Sequence, residues 1–113
     1  MPGPPPNDVA TIESWCERRV PAHVRDQVRV EAIVDGNRIT IVERRPPLLD
    51  EFGPEWITVP VARLRYVHQD RQWRLRWCDR NERWHRYDSI EPTPDVFVLL
   101  EEVERDPTAL FWG

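Results

Sequence analysis

The chain has 113 residues, 16 basic against 20 acidic side chains, a net charge of −4, and 40% hydrophobic against 32% charged residues. That size suits one domain with a core of its own, and the negative balance argues against a protein coated for nonspecific nucleic-acid binding. Two cysteines are too few for a disulfide scaffold or a paired-cysteine zinc site; no apolar run reaches membrane-span length, and the N-terminus lacks the basic and apolar regions of a signal peptide. A cytoplasmic protein with reduced thiols is the expectation.

Met1–Asn7 holds four prolines and reads as a disordered lead-in to a single α+β domain over residues 8–113. Asn7 or Asp8 can cap a helix starting near Val9. Val9, Ile12, Trp15, Cys16 and Val20 share one side of it, and Pro21 stops it by pushing the preceding residue out of the helical region. Ala22–Gln27 gives at most one loose turn. Val28–Asp35 and Arg38–Arg44 alternate apolar and polar residues around Asp35-Gly36, a strong hairpin signal. We place the two-residue loop at Asp35-Gly36. That opposes Val34 to Asn37, Ala32 to Ile39 and Val30 to Ile41, with Glu31 and Thr40 on the other face.

Pro46–Pro54 reads as a loop whose Leu48, Leu49 and Phe52 are candidates for an exposed apolar contact. Trp56–Val59 suits a short edge strand ahead of Pro60. A meander follows. In Val61–His68, Ala62, Leu64 and Tyr66 face one way and Arg63 and Arg65 the other; in Trp73–Cys78, Trp73, Leu75 and Trp77 oppose Arg74 and Arg76. A tight turn at Asp70-Arg71 pairs Tyr66 with Leu75 and Leu64 with Trp77. For Arg83–Asp88 two registers fit: one sends Trp84 into the core beside Trp77, the other sends His85 and Tyr87 inward and stacks Trp84 on the arginines. Thr93 as N-cap and Pro94 at the first helical position open a second helix. Its apolar stripe is Val96, Leu99, Leu100 and Val103, widened by Phe97, and Asp106-Pro107 ends it. Leu110, Phe111 and Trp112 should pack on the sheet or helix. The fold class is α+β: a single antiparallel sheet of about five strands, built from the hairpin and the meander, with an N-terminal and a C-terminal helix.

Every basic residue is arginine, with no lysine. A GC-rich coding sequence explains the bias. Its physical consequence is a set of planar forks suited to phosphate, carboxylate and aromatic faces. The charge is also segregated. Residues 63–86 hold eight arginines against three acids, and residues 91–106 six acids against one arginine.

The arginines of the meander, Arg63, Arg65, Arg74 and Arg76, with Trp84 and Arg86, form the candidate binding face. Arginines alternating along neighbouring strands, with an aromatic among them, can track phosphates and stack a base. A nucleic acid and the acidic surface of a protein partner compete for that face, and the bland reading is a solvated sheet face or one covered by the acidic helix. The favoured function is a non-enzymatic binding or interaction module. The alternative is a small RNA-directed enzyme or toxin using His85, Tyr87 and the neighbouring arginines. No catalytic residue is assigned, and no phosphate-cradling glycine loop, metal-ligand spacing or cofactor motif is present in the sequence. Trp15, Trp73 and Trp77 read as core.

The run Pro60-Val61-Ala62-Arg63-Leu64-Arg65-Tyr66, then Trp73-x-Leu75-x-Trp77, Asp79-Arg80-Asn81, Trp84-His85-x-Tyr87, and Asp106-Pro107 before Phe111-Trp112-Gly113, resembles a bacterial family known as domain of unknown function 3024. The resemblance covers roughly the second half of the chain, from Trp56 onward. It implies a small bacterial cytosolic protein and carries over no activity and no functional residue.

Overall fold

The computed structural model describes residues 3–47, 53 and 55–112. Helix α1 spans Pro6–Arg19. It begins inside the stretch expected as a lead-in: Pro5 precedes it, Pro6 sits in its first turn, and no side chain caps it. Proline's fixed φ and missing N–H suit that position, so neither Asn7 nor Asp8 is needed as the cap. Ile12, Trp15 and Cys16 are buried, and Val20 leaves the helix in an extended conformation ahead of Pro21. A short turn of 3-10 helix, Ala22–Val24, follows.

The sheet is antiparallel with strands in sequence order: β1 Arg29–Asp35, β2 Arg38–Arg45, β3 Ile57–Val67, β4 Gln72–Cys78 and β5 Trp84–Arg86. The hairpin register differs from the expected one. Asp35 pairs with Arg38, Val34 with Ile39 and Ala32 with Ile41, so Gly36 and Asn37 form the loop. Gly36 has φ +60, the conformation that a two-residue turn with glycine first requires. The two registers differ by two residues and keep the same side chains on each face, so apolar parity does not separate them; the turn residues do. The face assignment therefore stands. Ile39 and Ile41 are fully buried, Val30 is buried at the margin and Ala32 is half-buried, while Val34 beside the turn is exposed.

Trp56–Val59 is not a separate edge strand. Residues from Ile57 onward run straight into β3, the central strand. Proline is tolerated there because the β2–β3 register shifts between Ile41 and Val42, making Val61 the extra residue of a bulge. In addition, β4 pairs with β3 only from Arg63 onward. Leu48, Leu49 and Phe52 lie outside the described residues.

The meander also closes two residues away from the expected register. Tyr66 opposes Trp73, and Leu64 opposes Leu75. The connection is a four-residue turn, 68–71, in which Arg71 adopts φ +55. β5 resolves the open alternative: Cys78 pairs with Trp84 and Trp77 with His85, so Trp84 lies on the arginine side and Tyr87 is buried. Trp77, expected in the core, is only partly buried; it packs against the core edge and stacks on the His85 ring at 4.6 Å.

Helix α2 spans Val96–Arg105. Its cap is Asp95, whose carboxylate accepts the Phe97 N–H at 3.1 Å, rather than Thr93. Thr93 is held extended by backbone hydrogen bonds to Trp73 in both directions, which prevents it from starting the helix. Val96, Leu99, Leu100 and Val103 are buried, whereas Phe97 is 45% exposed and lies outside the stripe. Asp106 closes the helix in the left-handed conformation, and its carboxylate accepts the N–H groups of Phe111 and Trp112. That folds the tail back: Phe111 is buried, and the Trp112 indole donates to the Val103 carbonyl at 2.8 Å.

Both helices pack on one face of the sheet, over Ile39, Ile41, Leu64, Leu75 and Trp73. The Trp73 indole is fully buried and donates to the Asp8 carboxylate at 2.8 Å, tying α1 to β4. Arg19 lies over the rings of both Trp15 and Trp112, sealing the contact between α1 and the C-terminal tail.

Candidate functional site

The face opposite the helices carries the arginines. Side chains of paired residues project to the same side of a sheet, so the pairings arrange them in rows. One row runs Asp35, Arg38, Arg65, Arg74 from β1 to β4. The next runs Thr40, Arg63, Arg76, Arg86 from β2 to β5. Cys78 and Trp84 lie in the row after that. All six sequence-selected residues, Arg63, Arg65, Arg74, Arg76, Trp84 and Arg86, are thereby brought to one face. Arg38, which sequence reasoning left out, joins them. Half of its signal was available: it shares the parity of Thr40, but only the β2–β3 pairing sets it beside the meander.

Few of these cations are neutralised internally. Arg74 is bound to Asp70 at 2.7 Å and Arg38 to Asp35 at 2.9 Å. Arg65, Arg76 and Arg86 make no hydrogen bond or ion pair among the described residues. Two acids of α2 are engaged elsewhere: Glu102 serves Tyr87 and Arg105, and Glu104 meets Arg19.

Arg63 is fixed from two sides. Its Nε donates to Thr40 Oγ1 at 3.1 Å, and its guanidinium lies 4.1 Å from the centroid of the Trp84 ring. Burial first, then the charges of Arg38 and Arg76, depress its pKa below the ordinary arginine value. The group remains charged, since arginine titrates far above neutrality; Asp35 offsets part of the repulsion from its neighbours. Between the two rows lies an open hollow of about 300 Å³ lined by Asp35, Asn37, Arg38, Arg63, Arg65 and Arg76.

His85 and Tyr87 do not join this arrangement. His85 pairs with Trp77 on the other side of β5 and bonds Asp79 at 2.7 Å. Asp79 also accepts the N–H groups of Asn81 and Arg83, so the pair fastens the turn before β5. The hydrogen bond from His85, followed by the backbone ones, holds the Asp79 carboxyl below its usual range. The buried Tyr87 hydroxyl donates to Glu102 at 2.7 Å. Cys16 is buried, and desolvation pushes its thiol up to about 12, which makes it a poor nucleophile. Among the described residues no group of three potential metal ligands converges, and no helix is long and apolar enough to cross a membrane.

A family model described as domain of unknown function (DUF3024) matches residues 3–113. The match therefore takes in α1 and the hairpin as well as the second half, where the sequence resemblance was placed. No curated protein and no solved structure matches the chain.

Proposed function

Because the chain belongs to the DUF3024 family, whose description assigns no chemistry, we propose from the geometry that the protein is a non-enzymatic binding module that takes an anionic partner on its arginine face. The observation that carries this reading is the pair of cross-strand arginine rows, three of whose six arginines have no hydrogen-bond or ion-pair partner among the described residues. Like charges opposed across strands destabilise a sheet, and an anionic partner supplies the missing counterions.

Trp84 favours single-stranded nucleic acid over an acidic protein surface. A sheet face that combines guanidinium groups with an aromatic ring can neutralise phosphates and stack an unpaired base. A bacterial cytoplasm is the setting this reading supposes. The test is a gel shift on single- and double-stranded probes at graded salt, with an RNA-cleavage control. Single-stranded binding that weakens with a log–log salt slope of about −2 to −3, as expected when three or four phosphates are neutralised, supports it. Absence of binding to every probe overturns the nucleic-acid reading; capture of an acidic polypeptide instead makes the anionic partner a protein, and failure of that as well overturns the anionic-partner reading. Cleavage that is lost on His85→Ala overturns its non-enzymatic part.

A further inference from the structure

We propose that the hollow between the two arginine rows seats the terminal phosphate of a nucleic-acid strand, so that the face reads a phosphorylated end rather than a continuous backbone. This rests on the nucleic-acid reading given above and deepens it.

Charge is the first argument. Arg38, Arg63, Arg65 and Arg76 line the hollow with one carboxylate, Asp35. A phosphodiester brings a single negative charge to such a site, whereas a phosphomonoester brings about −1.5 to −2 at neutral pH and three acceptor oxygens. The monoester answers more of the excess, and the donors to meet it are present. Arg63 spends its Nε on Thr40 and Arg38 one terminal nitrogen on Asp35, which orients both forks and leaves their other N–H groups available. Arg65 and Arg76 spend none of theirs among the described residues.

Position is the second argument. The hollow sits at the end of the sheet where the β1–β2 turn and the 68–71 turn both lie. Asp35 and Asp70, the carboxylates that hold Arg38 and Arg74, stand at that same end. Past the hollow in that direction the arginine rows end, their last carboxylates already paired, and the two turns begin. A strand that ends in it continues the other way, towards Trp84, one row beyond Arg63. Adjacent rows are about 7 Å apart along a strand, a distance that places a base on the Trp84 side while the phosphate stays among the arginines.

The experiment compares fluorescence anisotropy of short single strands carrying a 5′-phosphate, a 3′-phosphate or neither, labelled at the opposite end. The probes are titrated with the full chain and with the Arg38→Gln/Arg65→Gln variant, whose two positions are exposed. We expect one phosphorylated end to bind about tenfold or more tightly than the unphosphorylated strand. The double variant and added inorganic phosphate should each erase that increment. Equal binding with and without the terminal phosphate overturns the end seat while leaving strand binding in place. No binding of any strand overturns both readings. The comparison among wild-type titrations alone decides the question if the variant misfolds.

Discussion

A face built for a partner should strain the free protein, and Arg76 is the place to measure that strain. Arg76 stands opposite Arg63 on one side and Arg86 on the other, with no ion pair among the described residues. Taking the guanidinium groups as about 7 Å apart in a water-like dielectric, each pair repels by roughly 0.6 kcal/mol before screening, or about 1.2 kcal/mol for both. A Debye length near 30 Å at 0.01 M salt leaves about 1 kcal/mol of this, about 10 Å at 0.1 M roughly half, and about 3 Å at 1 M almost none. Arg76→Gln keeps most of the aliphatic stem, so it should stabilise the fold by roughly 0.5–1 kcal/mol at low salt, with the gain fading by 1 M. Urea unfolding of both proteins across that salt range reads it directly, provided the unfolding slope is unchanged. A variant less stable than the wild type at low salt, or a gain that salt does not erase, would refute the view of this face as a set of uncompensated charges.

Trp73→Phe removes the indole N–H that α1 receives through Asp8, leaves a small void, and should cost about 1–3 kcal/mol in chemical denaturation. Tyr87→Phe takes one of two donors from the buried Glu102 and should likewise cost about 1–3 kcal/mol; a neutral result would mean that water reaches the carboxylate. Asp79 has a folded-state pKa below its unfolded value, so its contribution is complete above an unfolded pKa near ~3.9 and is lost as pH falls through the lower folded value. Asp79→Asn should therefore flatten the acid limb of the stability profile below about pH 4.

Which side chain faces which way was legible in the sequence, because alternation with period two survives an error in pairing. Both the hairpin and the meander close two residues from the register that alternation alone suggests, yet Ile39, Ile41, Leu64 and Leu75 are inside. Arg63, Arg65, Arg74 and Arg76 share the opposite side. Turn geometry decided the pairings, through the positive φ of Gly36 and Arg71, and an arginine in that conformation gives no advance signal. Trp77 misled because parity marks a face and not how far cover extends along it; β4 ends near the rim, where His85 is its neighbour. Caps were displaced for local reasons, the proline at the start of α1 and the bridge that holds Thr93 extended. Arg38 was overlooked because it belongs to the hairpin and reaches the meander only through the β2–β3 pairing.

The site itself is best tested by where a ligand touches. Six tryptophan indoles and the arginine Nε–H groups give separate nitrogen-bound proton signals, so a titration with a single-stranded oligonucleotide followed by two-dimensional NMR maps both faces at once. The indole of Trp84 and the Nε–H groups of Arg38, Arg63, Arg65 and Arg76 should shift together, in a salt-sensitive manner. The indoles of Trp73 and Trp112, bonded to Asp8 and Val103 on the helical side, should stay in place. Shifts confined to the helical side, around the exposed Phe97 and Val98, or no shifts at low salt, would contradict the assignment of the arginine face as the binding surface.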